Sequence, residues 1–164
     1  SVLSQAHSVL SQAHSVLSAG LGAAQMKVVG NAQVISGTTT TKISGLSAVL
    51  AAGATYEVVG RILHNISVAS GVHFNVSGTT SALSTFVGVI KGGSNVSVQT
   101  VEYAQNFPWS ISIPAGGTSA YLTQIDGIVK TSAGFTLEVF AWASAAGQDI
   151  NIKPGSFLRA FKIA

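Results

Sequence analysis

The side chains that carry acid–base or metal chemistry are few. The acids are Glu57, Glu102, Asp126, Glu138 and Asp149, and the histidines are His7, His14, His64 and His73. The acids are scattered, with no paired spacing that would set two carboxyl groups across a glycosidic bond. Serines are abundant, but none sits in a G-x-S-x-G elbow. No P-loop or dinucleotide fingerprint occurs. Cysteine is absent, so disulfides and thiolate chemistry are unavailable. His64 falls on the apolar side of an alternating run and His73 on the polar side of the next. Opposite faces predict one packed and one solvent histidine, not a shared metal site. His7 and His14 recur in register and read as flanking polar positions, with a ring of metal ligands in a bundle as the less favoured reading. The expectation is a chain that is not an enzyme, with no catalytic residues, no cofactor and no metal.

Two binding chemistries remain. Asn65, Asn75 and Asn95 each open an N-x-S triplet, which a chain so rich in Ser and Asn produces by chance. Tyr103, Phe107, Trp109 and Tyr121 fall near expected loops, where aromatic rings could stack on sugars. Trp109 alternates with Ser110 between two prolines, and reads as core.

The elements that must position these residues are of two kinds. Residues 1–18 read SVLSQAH-SVLSQAH-SVLS, a seven-residue repeat without substitution. In a strand an odd repeat would throw each copy onto the opposite face. In a helix seven residues fall within about 20° of two turns, so each copy keeps its face. The repeat therefore predicts a helix with an apolar seam of Val2, Leu3, Ala6, Val9, Leu10, Ala13, Val16 and Leu17. Alone in water so short a helix is marginal, so the seam is expected to meet copies of itself or a neighbouring protein. Residues 19–24 (AGLGAA) read as a hinge.

From residue 25 onward the texture is Val, Ile, Thr, Tyr and Phe in short alternating runs, broken by Gly and Ser clusters. Strands are expected at 26–35, 39–50 with Gly45 as a bulge, 55–64, 72–77, 84–90, 95–103, 109–113, 120–130, 135–143, 149–153 and 157–163. The turn at Ser70-Gly71 is read as a hairpin, and Gly92-Gly93 as a break. Many short strands, tight turns and no second helix predict an all-β chain: an antiparallel jelly-roll-like sandwich over 25–164, preceded by the short N-terminal helix. In the 135–143 run, Phe135, Leu137, Val139 and Ala141 face in, while Phe140 and Trp142 stand on the opposite face beside Thr136 and Glu138. Either that face is covered by another copy or the strand turns a sandwich corner.

Composition narrows the class further. Charged residues make up 8% of the 164, hydrophobic residues 47%, where an ordinary soluble domain carries about 25% charge. Such a chain suits a membrane or extensive burial against other subunits. No stretch of about 20 residues is continuously apolar, so no membrane-spanning helix is expected. A transmembrane barrel would need aromatic girdles that the sequence lacks. The net charge of +3 is scattered, which gives no case for nucleic-acid binding. No secretory leader is evident, and the chain opens on Ser1, which leaves room for residues ahead of it.

The stretch LAAGATYEVVGRI, the Gly/Ser/Thr-rich strands and the closing AGQDINIKPGSFLRAFKIA resemble the small jelly-roll domains of tailed-bacteriophage virions: capsid decoration proteins, head fibres and fibre tips. The resemblance spans roughly residues 25–164 and rests on texture rather than on an invariant motif. It implies a homotrimer, a virion location and contact with other virion proteins such as the major capsid protein. The expected function is thus decoration or reinforcement of a phage capsid; the alternative is a fibre or tail-tip adhesin for a host glycan or protein. The interface residues expected are those of the seam, together with Phe140 and Trp142.

Overall fold

The computed structural model describes residues 24–67, 71–78, 84–94, 97–106, 109–113 and 120–164. The expected helix over 1–18 and its seam, the hinge, His7, His14 and Phe107 lie outside them. The described residues form twelve strands: β1 (Gln25–Val28), β2 (Gln33–Ser36), β3 (Thr41–Leu50), β4 (Thr55–Ile66), β5 (Val72–Gly78), β6 (Ser84–Ser94), β7 (Ser97–Asn106), β8 (Trp109–Ile113), β9 (Tyr121–Thr131), β10 (Phe135–Ala143), β11 (Asp149–Ile152) and β12 (Phe157–Lys162). The chain is all-β, and every pairing is antiparallel.

Two sheets share one core. The eight-stranded sheet runs β1-β12-β4-β9-β6-β7, with β11 pairing β4 at residues 64–66 and β2 pairing β11; the four-stranded sheet runs β3-β10-β5-β8. Period-two alternation explains the layering. On β4, Tyr56, Val58, Ile62, His64 and Ile66 are buried, whereas Glu57 and Leu63 are exposed. The facing sheet contributes Ile43, Leu46, Val72, Phe74, Val76, Leu137, Val139 and Ala141, all fully buried. These apolar rows hold the layers together without disulfides.

Several expected boundaries shift. The single strand expected over 26–35 is two strands, because Val29 N–H donates to Ser156 O (2.8 Å) and Gly155 N–H to Val29 O (3.0 Å) across a break shared with the β11–β12 connection. The Ser70-Gly71 hairpin is overturned: β4 pairs with β9, β11 and β12, while β5 pairs with β8 and β10, so the chain changes sheets there. Nor is Gly92-Gly93 a break. Both residues stay in register with Gln99 and Val98, and the ladder runs on to Ser94 opposite Ser97. Strand β9 (Tyr121–Thr131) is shifted by one residue from the expected 120–130 and runs through Gly127 as expected.

Gly45 is the expected bulge. Glu138 pairs with Ser47 but Phe140 with Lys42, so β3 carries extra residues between them. Gly45 has φ +86, and a Cβ there would stand 3.3 Å from Val28 O. Backbone strain plus this contact predicts that Gly45→Ala destabilises the fold by about 1–3 kcal/mol in urea unfolding. A loss below about 0.5 kcal/mol would contradict the assignment. The outer edge of β3 is closed by two glutamines from the other sheet. Gln33 donates to Ser44 O (2.6 Å) and accepts from Ser44 N–H (2.8 Å). Gln25 does the same at Val49, at 2.5 and 3.1 Å. Each side-chain amide stands in for a strand neighbour, which blunts an edge open to pairing.

Candidate functional site

The acids whose side chains are described all have partners. Asp126 pairs with Arg61 at 2.9 Å, Glu57 with Arg159 at 3.7 Å, and Glu138 with Lys42. Asp149 accepts from Ser36 Oγ at 2.6 Å. Among the described residues no group of three or more His, Cys, Asp or Glu converges as metal ligands.

The two strand histidines differ as expected. His64 is fully buried on β4; its Nε2 shares a hydrogen bond with Thr123 Oγ1 at 2.9 Å. Phe74 crosses from the other sheet with its ring centroid 4.8 Å away, and Tyr121 lies at 5.8 Å. His64 Nδ1 is buried without a hydrogen-bond partner. Burial without a counter-charge lowers the His64 pKa from 6.5 to about 4, so the ring is neutral at pH 7. It packs in the core between the two sheets. His73 lies on the outer face of the four-stranded sheet, stacked on Trp142 at 5.0 Å with 7° between ring planes, and its Nε2 meets Ser144 Oγ at 3.0 Å. Partial burial holds its pKa below the ordinary value.

Tyr121 is 4% exposed and belongs to the core beside His64, so the sugar-stacking role considered for it is corrected. The backbones of Tyr103 and Trp109 lie in β7 and β8. Phe140 and Trp142 stand on the outer face of β10, half-buried, opposite Asn75 and His73 of β5. Strand β10 stays in the middle of one sheet, paired with β3 and β5, so it turns no corner.

The candidate surface is the outer face of the eight-stranded sheet. Its exposed apolar side chains are Met26, Val28, Val34, Leu63, Val87, Leu122 and Ile128. Register groups them at two ends. Phe161, Glu57, Ile128 and Val87 form one cross-strand row, and Met26, Arg159, Val59, Asp126 and Val89 form the next. Leu63 stands opposite Leu122 at the far end of β4. The pairs Arg61–Asp126 and Arg159–Glu57 neutralise charge within the face. Isolated exposed apolar residues are ordinary on a folded protein; here several of them share one sheet face.

No family model matches the chain, and no curated protein does. Among solved structures it is similar to a chain of the infectious bursal disease virus Gt strain, at 10% identity and TM-score 0.25, over 85% of this chain and 41% of that one. It is similar also to the VP2 subviral particle of the same virus, at 12% identity and TM-score 0.23, over 87% and 41%. The chain thus spans about two fifths of the length of either.

Sequence reasoning placed Phe140 and Trp142 outward but missed the larger apolar face on the opposite sheet. The signal was present. Leu122 and Ile128 interleave with the inward row Tyr121, Ile125 and Val129, so the outward side of β9 carries two exposed apolar residues among Gln124, Asp126 and Lys130.

Proposed function

We propose that this chain is a structural protein of a viral particle, assembled as a homo-oligomer that decorates or reinforces a phage capsid. The observation that carries the reading is the order of strand pairing. One sheet joins β1 and β2 to β12 and β11, then β4, then β9; the other joins β3, β10, β5 and β8. That is the wrapping of a jelly roll, in which successive strands alternate between sheets, with the β6–β7 hairpin added at one edge. Jelly rolls serve in capsids and also in lectins and cupins, so the fold alone does not select a role.

Two physical features favour assembly. Charged residues are only 8% of the chain, and the outer face of the larger sheet is apolar at both ends. A surface of this kind is stable in water when neighbours cover it. The trimeric state and the phage setting follow from the resemblance of the 50–62 and 146–164 segments to phage virion domains. In this reading residues 1–18 are a contact segment, and the major capsid protein is a partner.

Gold-labelled antibody against the native chain, applied to intact particles, tests the proposal. Label in many copies over the shell is expected. Label confined to a tail tip, with the purified protein binding host cells, would replace decoration by the adhesin reading.

A further inference from the structure

Residues 24–37 run along the rim where the edges of the two sheets meet. They carry β1 and β2, which do not pair with each other. Their described partners all lie in the rest of the chain. β1 pairs with β12 and β2 with β11. Between the two ladders Val29 N–H donates to Ser156 O. At the end Gly37 N–H donates to Gln148 O at 2.8 Å, and Gly37 O accepts from Ala143 N–H at 2.9 Å. Gln25 and Gln33 clasp Val49 and Ser44 on the edge of β3. Val29 and Ile35 are the buried anchors of the segment, whereas Met26, Val28 and Val34 are 58%, 47% and 61% exposed. A segment with no pairing of its own is ordered only by the groove that holds it. Its hydrogen bonds replace bonds to water and add little net. Two buried anchors offset little of the entropy lost in fixing its backbone, so it stands at the low-stability end of the fold. The connection that follows, residues 38–40, is exposed and outside any strand.

We propose that residues 24–37 open as one unit and are exchanged between copies, the strap of one copy seating in the groove of another. Every one of these contacts joins the strap to groups that each copy carries. A strap from a second copy therefore makes the same bonds, and only the 38–40 connection changes course. The groove selects this sequence, because Gln25 and Gln33 must reach Val49 and Ser44 while Val29 and Ile35 enter the core. The edge of β3 stays closed in either arrangement, which keeps unrelated strands from pairing there. The inference deepens the homo-oligomeric reading and rests on it for the partner.

Met26 and Arg159 are cross-strand partners at exposed positions, and the chain has no cysteine. The full chain carrying Met26→Cys is mixed with the full chain carrying Arg159→Cys, one of them isotopically labelled, and oxidised mildly. Neither variant can form a disulfide within one copy. Exchange places position 26 of one variant beside position 159 of the other, within the reach of about 7 Å that a disulfide spans, so the mixed dimer should exceed the two like dimers together by about tenfold. Val34→Cys with Asn151→Cys, partners on β2 and β11, should give the same excess and serves alone if Arg159→Cys does not fold. In the wild type the amides of Val29 and Gly37 should exchange with deuterated water about a hundredfold faster than those at the centre of β4. A mixed dimer at no more than its statistical share overturns the inference, as does exchange at Val29 and Gly37 as slow as at the centre of β4. Sedimentation of the wild type separates the two readings. A stable oligomer that fails the mixing test refutes the strap and leaves the homo-oligomeric reading standing; a monomer at micromolar concentration that fails it refutes both.

Discussion

Between pH 6.5 and about 4 the fold should lose about 3 kcal/mol of stability through one side chain, His64. The ordinary pKa of 6.5 holds in the unfolded chain, and burial lowers it to about 4 in the fold. Within that window the unfolded state binds the proton and the folded state resists it, so stability falls as pH falls. The contribution is complete above pH 6.5 and no further loss comes from this group below about 4. Each pKa unit corresponds to about 1.4 kcal/mol, which sets the magnitude. The neighbours that face the ring, Thr123, Phe74 and Tyr121, carry no charge at these pH values and offer the imidazolium no counter-ion. Urea unfolding at a series of pH values measures the effect. Carboxylates titrate at the low end of the window, so the informative quantity is the difference between the wild type and His64→Leu. The variant should be less stable by about 1–2 kcal/mol at pH 7, where Thr123 loses its partner. It should match or exceed the wild type near pH 4. Parallel pH profiles for the two proteins would refute the assignment.

The same burial that makes His64 pH-sensitive was legible in the sequence. Alternation over 55–64 puts Tyr56, Val58, Gly60, Ile62 and His64 on one face of a strand, and the structure buries all of them. Alternation of this kind is a local property, set by the period of the strand itself. Where a strand's pairing ends is not local. The break at residues 29–32 answers to the break at 153–156, more than a hundred positions away, because β1 and β2 pair with β12 and β11 on either side of it. The Ser70-Gly71 connection could not be told from a hairpin for the same reason. A turn dipeptide marks that the chain changes direction, not whether it returns to the same sheet. Gly45 was legible because its cause is a single residue, whereas Gln25 and Gln33 were not. Their role exists only once the edge of β3 is placed beside them. The apolar outer face was readable in Leu122 and Ile128, but only register against Leu63 and Val87 turns separate residues into a surface.

Phe74→Ala should be the most damaging single truncation in the core, costing about 3–5 kcal/mol at pH 7. Phe74 is among the largest side chains that are fully buried, on the central part of the four-stranded sheet. Its ring reaches across the sandwich to His64 on the other sheet. Truncation removes transfer energy and leaves a cavity between two layers whose backbones are fixed by their ladders, so little relaxation can fill it. Phe74→Leu, which keeps most of the volume, should cost less than about 1.5 kcal/mol. The cavity has a second consequence that distinguishes this site from any other core position. It opens beside the unpartnered Nδ1 of His64, a polar atom that a water molecule can satisfy. Hydration relieves the desolvation that lowers the His64 pKa, which should then rise toward 6.5. The acid-dependent loss should shrink accordingly, so the gap between wild type and Phe74→Ala is widest at pH 7 and narrows toward pH 4. Urea midpoints at pH 7 and 4.5 measure both effects together. A loss under about 1 kcal/mol would show that Phe74 does not hold the layers. A large loss with an unchanged acid slope would show that its ring is not what keeps water from His64.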